Sequence, residues 1–244
     1  SFSHILQHGM FPLAEILDKV LKVGQREMGR PVEIEFAVNV KNQKEGAFYL
    51  LQVRPIVDSR EMVSEDLSKI EKKEMILYSE SALGNGISND VYDVVYVKTE
   101  SYNAANNSLV AREIEKLNKT FSESDRNYIL VGPGRWGSSD PWLGIPVKWP
   151  HISQARVIVE SGLENYRVEP SQGTHFFQNL TSFGVGYFTI NPFLKDGGFF
   201  DEAFLNAQPA AYETDFIRHV HFDSSLTIII NGKKKTGVVL KPGE

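Results

Sequence analysis

Six short apolar runs constrain this chain more than any other feature. They are VYDVVYV (91–97), NYILV (127–131), ARVIVE (155–160), VGYFTI (185–190), LTIII (226–230) and GVVL (237–240). Each is too short for a typical helix, rich in β-branched and aromatic residues, and bounded by polar residues, Gly or Pro, so each reads as a strand. Helical spacing intervenes in SLVAREIEKLNKTF (108–121). Asn231-Gly232 between the last two runs is a strong hairpin signal. No internal repeat or low-complexity segment breaks the pattern. The expectation is a mixed, β-rich α/β fold with a β-hairpin tail. A length of 244 residues suits one large domain or two small ones.

The first sixty residues follow a different plan. In PLAEILDKVLKVGQREMGRP, Leu13, Ile16, Leu17, Val20 and Leu21 share one helical face, and Gly29 and Pro31 stop the helix. VEIEFAVN and FYLLQVRPI (32–39 and 48–56) read as two strands around a polar turn. SREMVSEDLSKIEKKEM is dense in charge and reads as an exposed linker or helix. The expected division is residues 1–60, a linker over 61–75, and a second domain over 76–244.

Three segments carry candidate chemistry. Glu33 and Glu35 lie two residues apart on a strand and so share a face, as do Gln52 and Arg54. Carboxylates are hard oxygen ligands for Mg²⁺, and Arg and Gln can hold phosphoryl oxygens. The competing reading is a half-exposed hairpin with a solvated face. In VGPGRWGSSDP, Gly132, Gly134 and Gly137 match G-x-G-x-x-G after a strand, with Glu160 about where a ribose-binding acid would sit. A dinucleotide fold needs a helix there, and Pro141, Gly144, Pro146 and Pro150 forbid one. Two readings stay open: glycine amides holding an anion with Arg135 and Ser138, or a tight turn over Trp136 and Trp142. His219 and His221 alternate on one strand. A metal site would need a third ligand, so a polar strand face is expected, and His151 reads as an incidental loop residue.

Composition excludes several classes. Without cysteine there is no disulfide, thiolate metal site or cysteine nucleophile, which fits a cytoplasmic chain. A net charge of −5 disfavours a general nucleic-acid surface, and no apolar run reaches membrane-spanning length. The first residues lack a signal peptide and an initiator Met, so the chain is expected to be a piece of a longer protein.

EIEFAVN…FYLLQVRPI resembles the end of the ATP-grasp nucleotide-binding domain of the phosphoenolpyruvate synthase and pyruvate phosphate dikinase family, over roughly residues 10–58. The resemblance implies Mg²⁺ and ATP as cofactors, Glu35 as a metal-coordinating carboxylate joined by Glu33, and Gln52 and Arg54 as nucleotide and phosphate contacts. It also implies that the chain holds only one wall of the ATP site and that its partner is the remainder of that domain. In this family a swivelling β/β/α phosphohistidine domain follows. GTHFFQNLTSFGVG (173–186) is similar to its motif, with His175 nine residues before Gly184, which makes His175 the candidate catalytic residue. Phe176 and Phe177 stand where the family has small residues, and Gly186 where it has Pro. The implied function is that of a C-terminal fragment of an ATP-dependent phosphotransferase, inactive alone. The alternative is a non-catalytic anion- or nucleotide-sensing module using the VGPGRWG loop.

Overall fold

The computed structural model describes residues 11–28, 32–42, 45–55, 66–100, 102–140, 142–164, 167, 169, 180, 184–195 and 197–243. The chain divides into two compact units, Ser1–Asp58 and Ser59–Glu244. No helix among the described residues is long and apolar enough to cross a membrane.

The smaller unit contains helix α1 (Leu13–Met28) and an antiparallel hairpin of β1 (Val32–Asn42) and β2 (Glu45–Pro55). Leu13 is buried and Ile16, Leu17 and Val20 are half-buried, at the expected helical spacing, whereas Leu21 is exposed. Gly24 lets helix and hairpin approach, since a Cβ there would lie 2.8 Å from Val32 Cγ2. Along β1, Val32, Ile34, Phe36, Val38 and Val40 turn inward and Glu33, Glu35, Ala37 and Asn39 outward. Phe36 stacks on Phe48 at 5.3 Å between ring centroids. The register shifts between Glu35 and Phe36, whose partners are Gln52 and Leu50, so Leu51 forms a one-residue bulge.

The larger unit is built on one mixed sheet. Its strands are β3 (Met75–Ser79), β4 (Ser81–Leu83), β5 (Gly86–Val97), β6 (Tyr128–Pro133), β9 (Ala155–Ser161), β10 (Gly186–Ile190), β13 (Ile217–Asn231) and β14 (Thr236–Leu240). Strands β5, β6, β9 and β10 run parallel in that order, and β13 and β14 continue antiparallel beyond β5. The chain closes this sheet on itself. β3 pairs with β14 at one side, and β4, only Glu80 away from β3, pairs with β10 at the other. The seam is bonded: Ser79 Oγ donates to the Thr189 carbonyl at 2.8 Å, and the Ala82 amide donates to the Lys235 carbonyl at 2.7 Å. Closure into a barrel removes the edges that an open sheet of this width would expose. Two short strands, β11 (Phe199–Phe200) and β12 (Ala210–Glu213), add to β3 and β13.

Two cores result, one on each side of the sheet. Val94, Tyr96, Ile129, Val131, Val157, Val159, Phe188, Ile228 and Val239 form one cluster. Val95, Leu130, Ile158 and Tyr187, on the alternate positions, form the other with Ile114, Leu117 and Phe121 of helix α2 (Asn107–Glu123). Burial on both faces explains why these strands read as continuous apolar runs. In the first cluster Phe188 occupies the space in front of Gly237, where a Cβ would lie 2.6 and 2.8 Å from two ring carbons.

Of the charged stretch after residue 60, expected as an exposed linker or helix, residues 66–74 are described and are mostly exposed. Residues 66–74 make two short 3₁₀ turns, Leu67–Lys69 and Lys72–Glu74, and Leu67 is buried against Met75, Ile229 and Val238. Leu67, with half-buried Ile70 beside it, anchors the charged segment to the sheet. The fold is thus a β-rich mixed α/β protein, and the tail hairpin forms with a four-residue loop, Asn231 pairing with Thr236.

Candidate functional site

Strand alternation brings Glu33, Glu35, Gln52 and Arg54 to one face of the hairpin, because Glu33 sits opposite Arg54 and Glu35 opposite Gln52. The Arg54 guanidinium is hydrogen-bonded through Nη2 to Glu35 Oε1, and its Nε lies 3.8 Å from Glu33 Oε1. Both carboxylates are largely exposed while Arg54 is half-buried. Two carboxylates against one guanidinium leave one negative charge on this face. A hairpin this exposed gains about 0–1 kcal/mol from such pairs, so stability is a weak reason for the arrangement.

The donor set suits a magnesium–nucleotide complex. Among the described residues no group of three or more His, Cys, Asp or Glu side chains could hold a metal. Mg²⁺ on a nucleotide needs fewer, since it is usually held by one or two carboxylates together with phosphate oxygens and water.

The glycine loop is placed differently from an anion cradle. It runs from β6 through β7 (Arg135–Trp136) to β8 (Gly144–Ile145). Its amides are donated inside the protein: Gly134 to the Ser161 carbonyl at 3.0 Å, Arg135 to the Leu143 carbonyl at 3.1 Å, Trp136 to Glu160 Oε1 at 3.1 Å, and Gly137 to the Ile145 carbonyl at 2.9 Å. Ser138 Oγ is turned on its own loop, donating to the Asp140 carbonyl at 2.8 Å. Glu160, the candidate ribose acid, is fully buried beneath Trp136. Packing accounts for the glycines. A Cβ on Gly132 would press on the Trp136 ring, and Gly134 takes φ +73° with the Leu143 carbonyl close behind. Trp136 is buried and its indole N–H reaches the Val159 carbonyl at 2.9 Å, whereas Trp142 is 70% exposed. Of the anion-binding set, only the exposed Arg135 side chain has no partner among the described residues. His175 lies outside the described residues.

The structure also brings together a cluster that sequence reasoning missed. Asp93, in the middle of the apolar strand β5, is 1% exposed. His219 Nε2 and His221 Nδ1, both on β13, lie 2.7 and 2.8 Å from Asp93 Oδ1, and Arg126 Nη1 lies 3.5 Å from Oδ2. The ladder explains the meeting, since His221 is directly opposite Asp93. Burial alone would raise the Asp93 carboxyl, but the two histidine hydrogen bonds, with His219 and Arg126 beside it, hold it below the usual aspartate range. Phe121 of α2 meets the His219 ring edge-on at 5.2 Å between centroids. The available signal was the acid itself: an unpaired Asp inside VYDVVYV requires a buried partner.

Neither known protein families, nor curated proteins, nor solved structures give a significant match to this chain. The functional reading therefore rests on chemistry and geometry.

Proposed function

We propose that residues 32–55 form one wall of a magnesium–ATP site, and that the chain is the C-terminal part of an ATP-dependent phosphotransferase similar to phosphoenolpyruvate synthase. The observation that carries this reading is the convergence of Glu33, Glu35, Gln52 and Arg54 on one exposed hairpin face, with Arg54 bonded to Glu35. Glu35, joined by Glu33, would hold the metal. Gln52 and Arg54 would hold phosphate oxygens, with Arg54 exchanging its carboxylate partners for the nucleotide. The bound complex supplies the phosphoryl group and the metal's charge. These residues contribute orientation and compensation of the charge that develops in transfer.

A second feature supports a wall rather than a whole site. The small unit leaves the apolar side chains of Val23, Met28, Tyr49, Leu50 and Leu51 exposed, and further elements of an ATP-grasp domain would cover them. His175 remains the proposed carrier histidine, and the larger unit the proposed phosphohistidine-like domain. The sensing-module alternative keeps the Arg135 side chain but not the amides of residues 134–137, which are bonded within the protein.

Two measurements test the reading. Titration calorimetry of this chain with Mg²⁺ and ATP should give a dissociation constant of about 1 mM or weaker, because one wall supplies only about 4 kcal/mol of binding. Micromolar binding would overturn the partial-site reading. In the intact protein, Arg54→Ala should lower phosphoryl transfer by about 10²–10³-fold, and normal transfer in that variant would refute the role of Arg54.

A further inference from the structure

We propose that Asp93 and His221 form a reactive-imidazole centre in the larger unit, with His221 Nε2 as the nucleophile and an uncharged carbonyl electrophile as its substrate class. The inference concerns this unit alone and holds whether or not the hairpin binds ATP.

Four observations carry it. First, His221 Nδ1 is 2.8 Å from the Asp93 carboxylate, which makes Nδ1–H the donor, so that in the neutral ring the lone pair lies on Nε2. Second, Nε2 has no partner among the described residues, on a side chain that is 42% exposed. Third, the carboxylate is itself fixed. It is buried, His219 binds the same oxygen at 2.7 Å, and Arg126 lies 3.5 Å from the other. A base or nucleophile whose second nitrogen is oriented by an immobile carboxylate is the arrangement nucleophilic and general-base catalysis requires. Fourth, the β5–β13 ladder breaks beside it: His221 pairs with Asp93 and Leu226 with Val91, so residues 222–225 stand opposite Tyr92 alone, with Phe222 turned into the core and Asp223 and Ser224 exposed. Such a bulge interrupts the ladder next to the ring and re-aims neighbouring side chains.

Local charge selects the electrophile. The Arg126 guanidinium is already engaged by Asp93 and by Ser124 Oγ at 3.3 Å. Asp223 is exposed two residues from His221. A phosphoryl anion would meet carboxylates here without an uncommitted cation, whereas a neutral acyl group would not be repelled. In the step itself, the Nε2 lone pair attacks the carbonyl carbon, a new N–C bond forms, and the bond to the leaving group breaks with its electron pair. The Nδ1 proton stays on the hydrogen bond to Asp93, whose negative charge offsets the positive ring.

The probe is diethyl pyrocarbonate, which transfers an ethoxycarbonyl group to imidazole and releases ethyl carbonate. Rates at each histidine are read by peptide mass spectrometry on the 244-residue chain. His221 should react faster than His151 and His219, and Asp93→Asn should slow it by about tenfold or more by removing the carboxylate that orients the ring and offsets the positive charge it gains on acylation. Equal rates in wild type and Asp93→Asn would overturn the proposal, as would acylation of Ser224 or Ser225 with His221 unmodified. A second measurement does not depend on the variant folding: nitrogen-15 NMR of the unmodified protein should show the Nδ1–H tautomer at His221. The Nε2–H tautomer would place the lone pair on the wrong atom and sink the idea.

Discussion

Barrel closure can be tested at a single pair of residues. Gly237 lies on β14 and Phe188 on β10, strands that are not neighbours in the sheet and meet only because it curls round. Gly237 does not have positive φ, so Gly237→Ala adds no backbone strain and tests only the added methyl. That methyl would press on Phe188 Cζ and sit 2.6 and 2.8 Å from the two Cε carbons of the ring. Ordinary carbon contacts lie near 3.5–4.0 Å, so the ring must retreat by roughly 1 Å, in a core with no slack. Overpacking of this kind costs about 1–3 kcal/mol. Phe188→Leu alone shortens the side chain facing Gly237 and leaves a small void, costing about 1–2 kcal/mol. Combined, the alanine methyl takes the volume the ring vacates. The double variant should then be less destabilised than the sum of the singles by about 1–3 kcal/mol. Denaturant unfolding followed by tryptophan fluorescence is the suitable assay, because all three tryptophans, Trp136, Trp142 and Trp149, belong to the larger unit. Additivity within about 0.5 kcal/mol would refute the contact, and with it the closed sheet.

Two further outcomes follow from the same geometry. Gly144→Ala should destabilise by about 1–3 kcal/mol in the same assay, because its Cβ would fall 2.6 Å from the Arg135 backbone nitrogen and carbonyl carbon, while Gly243→Ala, with nothing within 4 Å, should be silent. Asp93 titrates below its ordinary value in the folded protein, so the unfolded chain takes up its proton first as pH falls. The stability it contributes is complete above the ordinary aspartate pKa of about 3.9 and is lost as pH falls through the lower folded value. Melting curves taken at falling pH should therefore drop more steeply in wild type than in Asp93→Asn, and parallel curves would contradict the buried-carboxylate assignment.

Much of the secondary structure was legible because its signals are local. The run 108–121 places Val110, Ala111, Ile114, Leu117 and Phe121 at helical spacing, and α2 buries those side chains. The six apolar runs all became strands, and Asn231-Gly232 did mark a hairpin. Strand parity paired Glu33 with Glu35 and Gln52 with Arg54, and the hairpin register then set both pairs on one face. Less legible were β3 and β4. MILYS follows a highly charged stretch, and SAL is three residues long, so neither rises above its surroundings. The glycine loop misled for a related reason. A glycine that admits a tryptophan ring and one that bares its amide to an anion are the same letter, and only the position of Trp136 separates them.

The sequence by itself therefore determined most of the elements and the face each side chain takes along its own helix or strand, because helical and strand periodicity operate over a few residues. Tertiary structure alone decided the rest. It joined β4 to β10 and so closed the sheet, it consumed the amides of the glycine loop, and it set Asp93 between His219 and His221, more than a hundred residues away. Those outcomes depend on which strands become neighbours, and long-range pairing is fixed by the burial of the whole core rather than by any local pattern.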